Sequence, residues 1–240
     1  MLKAILFDFD HTLYDREATM KKTLPETYEN MKDLLCGGLK YEDFEREMLD
    51  TEREFQYDLS ISETSRQRWS RRVEYLVKKG VLKAPIDPNS CRIFIGRPME
   101  RRIVNYSFIF DLLAQLRKKH KLGIVTNGES AHQWGKLAAS GIKEYFDCIC
   151  VSGDIGIQKP EPEPFYEACR ALGVQPRECV YVGDNPKNDI LGAKCAGMCS
   201  VWVSTCGPWR YPEYERADFE VENISHLPEI LPQIEKKLTK

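Results

Sequence analysis

The chain has 240 residues, of which 42% are hydrophobic and 30% charged, with a formal net charge of −2. This balance belongs to a soluble globular protein and excludes a disordered chain, and a near-neutral charge leaves no footprint for a nucleic-acid polymer. No apolar stretch of about 18 residues is present, so no membrane span is expected.

The chain opens Met1-Leu2-Lys3-Ala4-Ile5-Leu6-Phe7 and turns acidic at Asp8. This apolar run is too short for a signal-peptide core and has no small-residue cleavage site after it, so the expected location is the cytoplasm. It suits a central parallel strand buried on both faces.

The stretch 15–96 is different. It holds no comparable apolar run, is rich in Glu, Lys, Arg and aromatics, and has helix-like spacing over 41–55 and 62–79. Pro25 predicts a kink or break, and Gly37-Gly38 and Pro85 to Pro88 read as turns. The expectation is a helical domain at 15–96 inserted into a core made of 1–14 and 97–240. The basic cluster Arg66, Arg68, Arg71, Arg72 is either a solvated helix face or an anion-facing surface. Phe55 and Trp69 either pack the insert's core or contact a base or second anion.

Beyond the insert, apolar runs alternate with helical spacing. Leu122-Gly123-Ile124-Val125, Cys148-Ile149-Cys150-Val151, Cys179-Val180-Tyr181-Val182, Ser200-Val201-Trp202-Val203 and an edge run Asp218-Phe219-Glu220-Val221 read as strands. Stretches 108–119, 130–139, 164–172 and 189–196 read as helices, the last stopped at Gly197. The alternation predicts an α/β doubly wound parallel sheet, Rossmann-like, with a smaller helical domain. In such sheets ligands bind beyond the carboxyl ends of the strands, where this chain carries its polar groups.

The nine cysteines include no C-x-x-C pair, and the four histidines are scattered, so buried free thiols are expected and no zinc site.

Four segments have chemistry at strand ends. Asp8-Phe9-Asp10-His11-Thr12 brings two carboxylates two residues apart, a costly arrangement unless a cation or shared proton relieves it. It is otherwise a polar strand-end turn. Thr126-Asn127-Gly128 offers a hydroxyl, an amide and a flexible backbone for phosphate oxygens, or is a simple turn. Lys159-Pro160-Glu161-Pro162 sets a lysine before a stiffened helix start, suited to offsetting phosphoryl charge or else an exposed loop residue. Gly183-Asp184-Asn185-Pro186-Lys187-Asn188-Asp189 adds a second acidic cluster, with Asn188 or Asp189 as a helix cap.

In this order, the four segments resemble the haloacid dehalogenase-like hydrolase superfamily, with its D-x-D-x-T, then Ser/Thr, then Lys, then G-D-x-x-x-x-D. The resemblance covers nearly the whole chain outside the insert. It implies Asp8 as nucleophile, Asp10 as general acid and base, and Thr126 and Lys159 holding the phosphoryl oxygens. Asn127, Gly128 and Phe9 would contact substrate. Mg²⁺ would be held by Asp8, Asp184 and the main-chain carbonyl of Asp10. Asp189, with Asn185 in support, would lie near the metal or orient Lys159. The family's dehalogenases lack the second aspartate, so Asp10 favours a phosphorus substrate, and the insert resembles the family's helical cap. The implied activity is Mg²⁺-dependent hydrolysis of a small phosphorylated metabolite, of the nucleotide or sugar phosphate class. A phosphomutase of the same fold and a non-catalytic binding protein are the alternatives. Where relatives carry Pro-Gly before the second motif's helix, this chain has Asn105-Tyr106-Ser107-Phe108-Ile109.

Overall fold

The computed structural model describes residues 1–57, 65–204 and 208–239. It divides into two compact units, one of Met1–Asp15 with Asn105–Lys240 and the other of Arg16–Val104.

The first unit is built on six parallel strands: β1 (Ala4–Phe7), β2 (Lys121–Thr126), β3 (Cys148–Val151), β4 (Cys179–Gly183), β5 (Cys199–Val203) and β6 (Phe219–Val221). Their order is β3-β2-β1-β4-β5-β6, with β6 at the edge as the sequence pattern predicts. Every residue of β1 is buried, which accounts for its unbroken apolar run. The order reverses direction between β1 and β4, so their carboxyl ends flank the crevice where such sheets bind ligands. Asp8 follows β1 and Asp184 follows β4.

Within this unit the predicted helices form close to their expected bounds, at Ile109–Arg117, Ser130–Ser140 and Glu163–Leu172. The last packs Phe165, Ala168, Cys169 and Leu172 onto the sheet, against Leu6, Val125 and Tyr181. Cys148 and Cys150 lie on that same face. The cysteines of the described residues are free thiols. The expected helix over 189–196 differs in detail. It is a π-turn at Pro186–Leu191 followed by a short α-turn at Gly192–Cys195, ending before Gly197 at φ 78. Its cap is Asn185, whose Oδ1 accepts from the main-chain N–H groups of Lys187 and Asn188, rather than Asn188 or Asp189.

The second unit is helical: α1 (Arg16–Met31), α2 (Tyr41–Tyr57), α3 (Ser65–Lys78) and α4 (Pro88–Arg101). Met20, Leu24, Phe44, Met48, Leu76 and Ile95 form its separate core. Two expectations change here. Helix α1 runs through Pro25 without a break, because Leu24 and Thr27 are buried on either side and hold the turn in the core. The insert extends past 96 because α4, started by Pro88 with the Asp87 carboxylate accepting from Ser90 N–H, continues through a buried Gly96 to Arg101. Arg66 and Arg68 are exposed, but Arg72 is buried and paired with Glu52 at 2.5 Å, and Glu52 also accepts from Arg16 at 2.5 Å. Trp69 packs partly buried against the core, 5.1 Å from the Arg72 guanidinium. The side chain of Phe55 and residues 62–64 lie outside the described residues. No helix among the described residues is long and apolar enough to cross a membrane.

Candidate active site

The ends of β1, β2 and β4 and the loop after β3 bring the sequence-predicted residues together. Asp8 continues the ladder for one more residue, its N–H donating to Val182 O at 2.9 Å, so the carboxylate is set by the sheet itself. The chain then turns sharply at His11, which sits at φ 60, the left-handed region that few residues other than glycine adopt.

Lys159 is the centre of the buried half of the site. Its Nζ donates to Asp8 Oδ1, Asp189 Oδ1 and Tyr181 Oη, each at 2.7 Å, and the residue is 2% exposed. Burial alone would pull this ammonium's pKa down, but the charges of Asp189 and Asp8 outweigh it and the pKa is raised. Lys159 is therefore a fixed cation. Burial likewise pushes the Tyr181 phenol well above its usual range, with Asp189 and Asp8 adding to the shift, so the hydroxyl stays protonated. It lies 2.8 Å from Val125 O.

The Asp8 carboxyl is raised to about 7. Burial is the main cause; Asp189 and Asp10 add to it, and Lys159 only partly offsets them. Burial disfavours the charged carboxylate even beside a lysine, and a buried carboxyl perturbed in this way at a strand end is a candidate for cation binding or acid–base work.

Oxygens from Asp8, Asp184 and Asp189 all lie within 4.8 Å of one another. An all-carboxylate set of hard donors fits Mg²⁺, which binds through one or two carboxylates plus water and phosphate. One Asp189 oxygen accepts from Lys159 and the other from the Asn185 N–H at 2.8 Å. Asp8, Asp184 and Asp189 together could hold the ion, and Asp189 also fixes the Lys159 ammonium. Asp184 is fixed through its carbonyl, which accepts from the Trp202 indole at 2.7 Å. The Asp10 carboxylate is not in this set. It turns toward Lys136, Gln133 and Tyr14.

Three residues expected to contact substrate have other work for their side chains or N–H groups. Asn127 uses both ends of its amide on the Lys159 backbone, accepting from its N–H at 2.9 Å and donating to its carbonyl at 2.9 Å. The Phe9 ring is wholly buried against Tyr14. Gly128 donates its N–H to Ser152 Oγ at 2.9 Å, and a Cβ there would meet Gln133 Cγ at 2.9 Å. Thr126 is buried, with its hydroxyl oxygen accepting from Gln133 Nε2 at 2.6 Å.

Gln133, Lys136, Tyr14 and Tyr181 were not picked out from the sequence. Gln133 and Lys136 share the buried face of their helix with Leu137 and Ser140, but only Leu137 of the four is apolar, so no apolar stripe marks that face in the sequence. Tyr181 had no signal either, since an aromatic in a buried strand ordinarily packs the core.

A strand-end aspartate, an immobilised lysine and a carboxylate cradle meet at the carboxyl edge of a doubly wound sheet, a place suited to an anionic ester. Comparison with known proteins agrees. The sequence pattern of the family described as haloacid dehalogenase-like hydrolase matches residues 5–203. A glyceraldehyde 3-phosphate phosphatase of Methanopyrus kandleri is 31% identical, over 98% of this chain and 100% of that one. An N-acylneuraminate-9-phosphatase of Mus musculus is 26% identical over 99% of this chain and 97% of its own. Among solved structures, the HAD-hydrolase YfnB of Bacillus subtilis, bound to magnesium, aligns with a TM-score of 0.78 at 25% identity, covering 96% of this chain and 98% of that one. The chain belongs to the haloacid dehalogenase-like hydrolase family, in its capped phosphoric monoester hydrolase branch.

Proposed function

We propose that the protein hydrolyses small phosphorylated carbohydrates in a Mg²⁺-dependent reaction, through an aspartyl phosphate on Asp8. The observation that carries this reading is the Lys159 ammonium held between Asp8 and Asp189, beside an Asp10 whose carboxylate is separately held and still reachable. An Asp8 oxygen attacks phosphorus and the bond from phosphorus to the leaving oxygen breaks. Asp10 gives its proton to that oxygen. Water then loses a proton to Asp10 as its oxygen attacks phosphorus, and the bond to Asp8 breaks, which restores both aspartates. Splitting one displacement into two eases each. The Thr126 hydroxyl holds a phosphoryl oxygen throughout, and the charge of Lys159 beside Asp8 offsets the phosphoryl charge. Mg²⁺ bound by Asp8 and Asp184 would supply positive charge that offsets repulsion between carboxylate and phosphate.

Two relatives that span nearly the whole chain are named as phosphatases of glyceraldehyde 3-phosphate and, at position 9, of N-acylneuraminate, which supports a carbohydrate phosphate over a nucleotide. The test is phosphate release from a panel of sugar, triose and nucleoside monophosphates, with and without Mg²⁺, beside Asp8→Asn. Mg²⁺-dependent release, lost in the variant and strongest on carbohydrate esters, supports the reading. Release from nucleotides alone would overturn the substrate class, and no release from any ester would overturn the activity.

A further inference from the structure

Lys136 is a buried lysine outside the family's four motifs. It lies in the helix after β2, is 1% exposed, and its Nζ donates to both oxygens of Asp10 at 2.6 Å. An ammonium taken out of water costs several kcal/mol unless it is closely paired. A leucine or methionine would fill this space without that cost, so the charge answers to Asp10. The ammonium also lies over the Phe9 ring, 5.5 Å from its centroid.

Two more groups close on the same carboxylate. Gln133 Nε2 donates to Asp10 Oδ2 at 3.1 Å, and the Tyr14 hydroxyl donates to Oδ1. The same Gln133 nitrogen also reaches Thr126 Oγ1 at 2.6 Å and Asn127 O at 3.0 Å. The opposite end of this amide, Oε1, is buried with no partner, so its orientation is dictated by the acceptors around the nitrogen. Because Gln133 donates to Thr126, the threonine's own hydrogen is left to point at a phosphoryl oxygen. Asp10 keeps 23% side-chain exposure, enough for a leaving group to reach it.

We propose that Lys136 and Gln133 are positioning residues that fix the Asp10 carboxyl for proton transfer to and from the leaving oxygen, and tie it to the phosphate-holding Thr126. This rests on the phosphatase reading above. When one Asp10 oxygen carries a proton, the other still accepts from Lys136, so the hold survives both halves of the cycle. The consequence is selective. Proton transfer matters most where the departing oxygen is strongly basic, as in an alkyl ester, and least where it leaves readily, as in a dinitrophenyl ester.

The test compares kcat/KM for glycerol phosphate and 2,4-dinitrophenyl phosphate in wild type, Lys136→Met, Lys136→Arg and Gln133→Leu, with saturating Mg²⁺. General acid–base catalysis contributes about 10²–10⁴-fold, and its misplacement should cost the alkyl ester about tenfold more than the aryl ester. Lys136→Arg, which can still pair with a carboxylate, should recover part of the alkyl-ester loss. In an Asp10→Asn background, Lys136→Met should add less than about threefold, because the group it positions is gone. Equal losses on both esters, or a full additional loss in the Asp10→Asn background, would overturn the proposal. Thermal unfolding checks that each variant is folded, and Gln133→Leu and Lys136→Arg carry the test if Lys136→Met does not fold. A wild type that releases phosphate from neither ester would instead overturn the phosphatase reading, and this proposal with it.

Discussion

The ammonium of Lys159 lies 2.7 Å from Oδ1 of Asp8, with both residues buried and 151 positions apart in sequence. Removing it as Lys159→Met leaves Asp8 and Asp189 facing each other without their shared cation. Breaking a buried pair from one side costs about 3–5 kcal/mol, and losing one preorganised donor to a reacting oxyanion costs about 10²–10³-fold in rate. The expected result is a loss of at least about 10²-fold in kcat. The stability loss in urea without metal should be larger at about pH 8 than at about pH 5.5, because Asp8 takes up a proton in the acid range and relieves the repulsion.

The Asp8 carboxyl supplies a pH prediction. Its folded pKa of about 7 lies above the ordinary 3.8, so between those values the native chain holds a proton that the unfolded chain has lost. Metal-free stability should therefore fall as pH rises through that window. Mg²⁺ needs the ionised carboxylate, so its apparent affinity should tighten as pH rises toward 7 and level off above it. Titration calorimetry across the range checks this, and an affinity that does not change with pH would contradict it. By the same argument Asp8→Asn, though inactive, should stabilise the metal-free protein at about pH 8 by about 1–2 kcal/mol.

Gly183 ends β4 directly against Asp189. A Cβ at this glycine would lie 2.5 Å from the Asp189 carboxyl carbon. Gly183→Ala should push Asp189 off Lys159, costing about 1–3 kcal/mol in strain. It should also lower kcat about tenfold or more, since misplaced catalytic geometry is penalised steeply. Unfolding and rate measured on one preparation test both effects.

In the helical unit, Glu52 accepts from Arg16 and from the buried Arg72. Glu52→Ala takes a carboxylate away from a buried guanidinium and should cost about 3 kcal/mol, whereas Glu52→Gln, which can still accept, should cost less. Chemical unfolding of the two variants beside wild type tests the order.

Much of this was legible in the sequence because parallel strands buried on both faces leave unbroken apolar runs. All six appear as such or nearly so, with Asp8, Thr126 and Asp184 at their ends. What was not legible was set by tertiary context. Pro25 reads as a breaker, yet Leu24 and Thr27 hold the helix together around it. The hold of the Asn127 amide on the Lys159 backbone, 32 positions on, leaves no local trace. Lys136 reads as one more surface lysine until the fold brings Asp10, 126 positions away, within 2.6 Å. No local pattern records a pairing across that distance.

The central claim is that the phosphoryl group rests on Asp8 between the two displacements. The most direct test is to mix the protein with Mg²⁺ and a sugar phosphate, quench with acid during turnover, and read the peptide carrying residues 4–16 by mass spectrometry. The account predicts that the added mass of one phosphoryl group maps to Asp8 and is lost on treatment with base. Phosphate released at full rate with Asp8 never modified, or the phosphoryl group found on another residue, would contradict it.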